Sequence, residues 1–194
     1  MKLPEEHRRE VRFWRKDTQD FPGQETDILR GIEGRIDGTR EVTLHELGCS
    51  RGKNLKAIRK RYKNVRVSGN DVSVWAFRES VRDPLMDSTV IQEDTVEFLV
   101  RQPDGAFDYV LTSAHLEHIS NGVDGILQEH IPRVVKRKLF ILEPDSVGDK
   151  YGDGKHHKFG REYRGFFPGM EVEDVLPSKH ADHYSFFVFR KTGR

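Results

Sequence analysis

Short apolar runs recur along the chain, separated by longer stretches that are apolar only at helical spacing. Val42-Thr-Leu-His-Glu-Leu47 predicts a strand ending at Gly48. Beyond it, Leu55, Ile58 and Tyr62 recur at three- and four-residue intervals among lysines and arginines, which predicts a helix over 54–62. The alternation continues with strands over 65–69, 89–93, 107–113 and 138–142. Helices are predicted over 74–82 (stopped by Pro84), 96–101 and 123–131. Two last apolar runs, 169–176 and 183–190, leave no room for a crossover helix and predict an antiparallel hairpin. Ahead of the first strand, 5–16 and 25–36 predict two helices, with Phe13 and Trp14 the large apolar groups of the first. Strands alternating with helices build βαβ units, so the expected class is α/β, a Rossmann-like sheet of parallel strands with a C-terminal hairpin.

Length and composition narrow the picture. At 194 residues, with no repeat or linker, the expectation is one domain over 1–194, a helical cap over 1–40 preceding a core over 41–194. Lys plus Arg is 33 against 32 Asp plus Glu, so the net charge of +1 argues against binding nucleic acid or anionic membrane through bulk charge. Cys49 is the only cysteine, which excludes an intramolecular disulfide and a cysteine-based zinc site. The longest apolar run, 186–189, is far too short to span a membrane, and the first residues carry no signal-like stretch, so a cytoplasmic protein is expected.

The richest segment is Glu46-Leu-Gly48-Cys-Ser50-Arg-Gly52, at a strand-to-helix junction. Glycines there permit a tight turn and close approach of backbone to ligand. A nucleotide-type site would present backbone N–H groups from this loop. A hydrolase elbow is the competing chemistry, since Gly48-x-Ser50-x-Gly52 is followed by Asp145 and His180 in the order a triad needs. A glycine turn holding no ligand is the third reading. Position favours the nucleotide site, because the loop follows the first strand and Asp71 comes 23 residues after Gly48 at the end of the next. A carboxylate there accepts two hydrogen bonds from a ribose diol.

Four motifs in order, 46–52, Gly69-Asn-Asp71-Val-Ser73, Glu93-Asp94, and Phe107-Asp-Tyr-Val-Leu-Thr-Ser-Ala-His-Leu-Glu-His-Ile119, resemble those of class I S-adenosylmethionine-dependent methyltransferases. The resemblance runs from about 42 to 190 and departs at Ser50, where the usual residue is glycine. It implies the seven-stranded fold of that family and S-adenosylmethionine as cofactor, with S-adenosylhomocysteine as product. Gly48, Cys49, Ser50 and Gly52 are then expected along the methionine and ribose portion, with Glu46 shaping the loop and Asn54 beside it. Asp71 is expected on the ribose hydroxyls with Val72 next to it, Asp94 on the adenine amino group with Thr95 adjacent, and Ser113 near the sulfonium. Trp14 is expected to close over the cofactor from a lid made by the N-terminal helices.

His115, just past the fourth strand, is the candidate general base, with packing in the loop as the bland alternative. His118, His156, His157, Tyr163 and Arg164 are the candidate substrate-binding residues, the last four in a segment rich in aromatic and cationic groups that suits a polar or anionic small acceptor. That segment is faintly similar to small methylases of surface-sugar biosynthesis. Paired histidines are chemically able to bind metal, but no further ligand spacing supports it and none is expected. The basic stretches 53–63 and 8–16 raise RNA as an alternative substrate, though the apolar face of the first stretch makes its charges a solvated exterior. The resulting expectation is methyl transfer to an O or N of a small metabolite. The alternatives are an RNA or protein methyltransferase, or a cofactor-binding subunit without chemistry.

Overall fold

The computed structural model describes residues 3–16, 23–83, 89–145 and 159–192. Two helices, α1 (Glu5–Trp14) and α2 (Gln24–Ile32), precede the sheet. Then follow β1 (Val42–Leu47), α3 (Lys53–Arg61), β2 (Val65–Asp71), α4 (Val74–Ser80), β3 (Val90–Gln92), α5 (Thr95–Arg101) and β4 (Phe107–Ser113). Two single 3-10 turns lead into α6 (Asp124–Val134), β5 (Val135–Pro144), β6 (Met170–Pro177) and β7 (Tyr184–Lys191). The sheet order is β3-β2-β1-β4-β5-β7-β6, parallel through β5 and antiparallel at β7 and β6. This is the expected α/β sheet with its terminal hairpin.

Both faces of the sheet are covered. Ile28, Ile32, Leu55 and Ile58 of α2 and α3 pack on one face, with Leu44, Tyr109, Phe140 and Phe186. Val96, Leu99, Leu127 and Ile131 of α5 and α6 pack on the other, with Val110, Leu139, Phe187 and Phe189. Double coverage is why 186–189 reads as an unbroken apolar run and not an alternating one. β5 begins at Val135, three residues before the predicted start, because α6 continues through Pro132 and passes into the strand without a loop.

Of the two N-terminal helices expected as a lid, α1 lines the crevice along one face and α2 reaches it at its first residues, Gln24 and Glu25. α2 belongs to the helical layer on the sheet: Ile28 and Ile32 are fully buried, and Gly31 leaves the space that the Phe186 ring fills. The order of strands reverses between β1 and β4, so the connections leaving their carboxyl ends run to opposite sides and leave a crevice, the usual ligand position in such sheets.

Candidate functional site

The turn after β1 is built from left-handed backbone. Gly48, Ser50 and Gly52 have φ of 66°, 44° and 71°. At Gly48 a Cβ would lie 2.1 Å from the His115 ring, so only glycine admits both the turn and that ring. Ser50 tolerates its φ as a small residue, and its N–H donates to Asp71 Oδ2 at 2.8 Å. Asp71 Oδ1 accepts from the Ser73 N–H at 2.8 Å, which starts α4, where Ser73 caps through its own side chain. Burial raises the Asp71 carboxyl, and the two backbone donors oppose it.

Around this turn lies a crevice, partly open to solvent, at the carboxyl ends of β1, β2 and β4. Glu46, Gly48, Cys49, Ser50, Asn54, Asp71, Val72, Asp94, Ser113, His115 and His118 line it, together with His7, Glu10, Val11 and Trp14 of α1. The motifs are therefore brought together as expected. Glu46 is fully buried, and Asn54 Nδ2 donates to its Oε1 at 2.6 Å. Its Oε2 is buried at the crevice with no hydrogen bond among the described residues. Burial pushes this carboxyl up to about 8, with Asn54 opposing and Asp71 adding to the rise. A buried carboxylate oxygen without a donor is suited to a cationic ligand group.

Several expected residues play other parts. Gly52 caps α3 in a left-handed conformation, behind the wall formed by 48–51. Thr95 is buried and reaches the crevice only through His115, whose Nε2 it meets at 2.8 Å. Asp94 caps α5, its Oδ1 accepting from the N–H groups of Val96 and Glu97. Its Oδ2 lies 3.2 Å from His7 Nε2, so a ligand amino group at Asp94 must share it with the lid.

Tyr163 does not face the crevice. It is 2% exposed and packs against Phe166 and Phe187, because the apolar outer face of β7 needs covering and this turn covers it. Arg164 lies at the surface, 3.3 Å from Asp145 and over the Phe187 ring, and neither residue is among those lining the crevice. His156 and His157 lie outside the described residues. His118 does line the crevice, its ring 4.5 Å from that of Trp14.

Among the described residues no carboxylate bonds the His115 ring, whose Nε2 meets Thr95 Oγ1 at 2.8 Å. Burial, with the charges of His118, Arg161 and His7, pushes its imidazole down to about 3 against the opposing pull of Asp94. Its backbone N–H donates to Glu143 Oε1 at 2.9 Å, one of three successive N–H groups that this carboxylate gathers. The hydrolase triad is likewise absent: Asp145 accepts from Ser185 Oγ and faces Arg164, while His180 packs against Gly23. Ser50→Gly is therefore expected to fold with equal or greater stability, since glycine relieves the positive φ, and to keep ligand binding. Thermal melts and calorimetry check this, and covalent labelling of Ser50 by a fluorophosphonate would contradict it.

The sequence reading missed His7 and Glu10. With Val11 and Trp14 they recur at three- and four-residue spacing, a single helical face, and that spacing was the available signal. It also missed His45, buried on β1 between Ser68 and Asn70.

No protein-family model matches the sequence, and no curated protein matches it. Solved structures share its fold. Geranyl diphosphate C-methyltransferase from Streptomyces coelicolor A3(2) matches with a TM-score of 0.70 at 11% identity, over 97% of this chain and 98% of that one. Magnesium protoporphyrin IX methyltransferase from Synechocystis PCC 6803, solved with bound S-adenosylmethionine, matches with 0.65 at 14% identity, over 95% and 90%. A 4+2 cyclase matches with 0.67 at 18% identity, over 92% and 85%. The fold is that of the class I methyltransferases, and at these identities the likeness concerns the fold alone.

Proposed function

We propose that the chain is an S-adenosylmethionine-dependent methyltransferase acting on an O or N of a small molecule. The observation that carries this reading is the union of three features in one crevice: the left-handed turn 48–52, Asp71 held by that turn, and the buried, unpartnered Glu46 Oε2. Bound there, S-adenosylmethionine supplies a methyl group already activated by its sulfonium. Asp71 accepts from the ribose hydroxyls through the lone pairs that Ser50 and Ser73 leave free. Glu46 Oε2 meets the positive charge of the amino-acid end, either directly or through water. Gly48, Cys49 and Ser50 let the backbone approach, Val72 packs on the nucleoside, and Asp94 receives the adenine amino group beside His7. Ser113 Oγ, buried without a partner among the described residues, faces the reacting end.

The lid supports a small acceptor. α1 lies over the crevice through His7, Glu10 and Trp14, which narrows the space next to His115 and His118. Of the eleven basic residues that raised RNA, Lys56 forms an ion pair with Asp83, Arg61 with Glu33, and Arg8 and Arg12 with Glu5. Among the described residues no helix is long and apolar enough to cross a membrane.

Asp71→Ala is expected to weaken S-adenosylhomocysteine binding by about 1.5–3 kcal/mol, the worth of hydrogen bonds to a charged group. Isothermal calorimetry measures it, and wild-type affinity in the variant would remove Asp71 from the site.

A further inference from the structure

Resting on the methyltransferase reading, we propose that His115 meets the methyl acceptor as a neutral hydrogen-bond donor through Nδ1–H. In this role it holds a carboxylate or carbonyl oxygen of that molecule, and a buried relay of Ser68, His45, Asn70 and Thr95 fixes its tautomer. His115 is then a positioning group for a small acceptor bearing such an oxygen, and not the base that removes a proton.

The direction of the relay follows from one fixed point. The backbone carbonyl of Glu93 can only accept, so the Asn70 atom 3.2 Å from it is the amide nitrogen. The same Nδ2 donates to Thr95 Oγ1 at 3.0 Å. Asn70 Oδ1 therefore faces His45 Nε2 at 3.1 Å and accepts its proton. That leaves His45 Nδ1 as a lone pair for the Ser68 hydroxyl at 2.8 Å. His45 is buried between the rings of Phe98 and Phe107, and burial pushes its imidazole down to about 4, so it is neutral and this assignment holds near pH 7.

At the other end, Thr95 Oγ1 receives a proton from Asn70 and has one of its own to give. His115 Nε2 lies 2.8 Å away and is the acceptor placed to take it. With Nε2 as the acceptor, the ring proton of neutral His115 sits on Nδ1. The opposite tautomer would leave the hydroxyl proton of Thr95, a residue only 3% exposed, without an acceptor, a costly arrangement for a buried group. The face of the ring near Cγ and Nδ1 lies over Gly48 in a residue that lines the crevice, and Nδ1 has no hydrogen bond among the described residues. The geometry thus presents a donor whose tautomer is set by neighbours on β1, β2 and α5, three elements that meet only in the folded sheet.

Two measurements test this on the full chain. Long-range proton–nitrogen NMR spectra at pH 7 are expected to show His115 neutral with the proton on Nδ1. Thr95→Val should shift it toward the other tautomer, and Thr95→Ser should restore it. A wild-type Nε2–H tautomer or a charged ring at pH 7 would overturn the proposal. The second reads label passed from methyl-tritiated S-adenosylmethionine into a small-molecule extract. His115→Asn, which keeps an N–H where Nδ1 stood but cannot take a proton, is expected to lose less than about tenfold, and His115→Leu about 10- to 100-fold. Equal losses of about 10²-fold or more in both would make His115 a base and overturn the proposal. If the wild type labels nothing, the methyltransferase reading fails, while the spectra still decide the tautomer.

Discussion

Gly48→Ala is expected to abolish binding of S-adenosylhomocysteine at concentrations that saturate the wild type, while leaving a folded protein. Two costs act at that position. Alanine at φ 66° costs about 1–2 kcal/mol as a left-handed L-residue. Its Cβ would also stand 2.1 Å from His115, whose ring is held by Thr95 and whose backbone is held by Glu143. The ring cannot withdraw without breaking those bonds, so the turn must move, and with it the Ser50 N–H that anchors Asp71. A melting temperature only a few degrees lower, together with lost binding in calorimetry, is the expected result. Gly125, with open space around it in α6, is the control, where alanine should stabilise the helix slightly. Wild-type affinity in Gly48→Ala would contradict the site.

The second large effect is a pH dependence set by Glu46. Its carboxyl lies near 8 in the free protein because it is buried without enough donors, so at neutral pH it is mostly protonated. A cationic ligand favours the carboxylate, and binding therefore releases a proton. Affinity for S-adenosylmethionine is expected to rise with pH by up to about tenfold per unit below 8 and to level off above it. Glu46→Gln should flatten that profile. The free protein shows the linked sign in its stability. Between the ordinary value of 4.5 and about 8 the folded site keeps a proton that the unfolded chain has released, so this group's contribution falls as pH rises through that window. Calorimetry and chemical denaturation from pH 6 to pH 9 measure the two effects. An affinity independent of pH would mean that Glu46 does not face the cation.

Most of the fold was legible because hydrophobic periodicity reports double-sided burial directly. β1, β4 and the hairpin lie within a residue of their predicted bounds. The turn 48–52 and Asp71 were legible because glycine at a strand end has few physical uses. His45 was not legible, since its partners depend on register: β1 and β2 pair His45 with Ser68 and Leu47 with Asn70, which no spacing along the chain reveals. Tyr163 and Arg164 misled for a different reason. An aromatic and cationic stretch is as well suited to covering Phe187 as to gripping a ligand, and composition does not distinguish the two.

The central claim is methyl transfer to a small molecule from this crevice. It is tested most directly by incubating the protein with methyl-tritiated S-adenosylmethionine, a small-molecule extract, total RNA and total protein, and then separating the fractions by size. The account predicts label in the small-molecule fraction above that of the cofactor and its breakdown products, strongly reduced in Asp71→Ala at subsaturating cofactor. Label confined to RNA or protein, or equal labelling by the wild type and Asp71→Ala under those conditions, would contradict it.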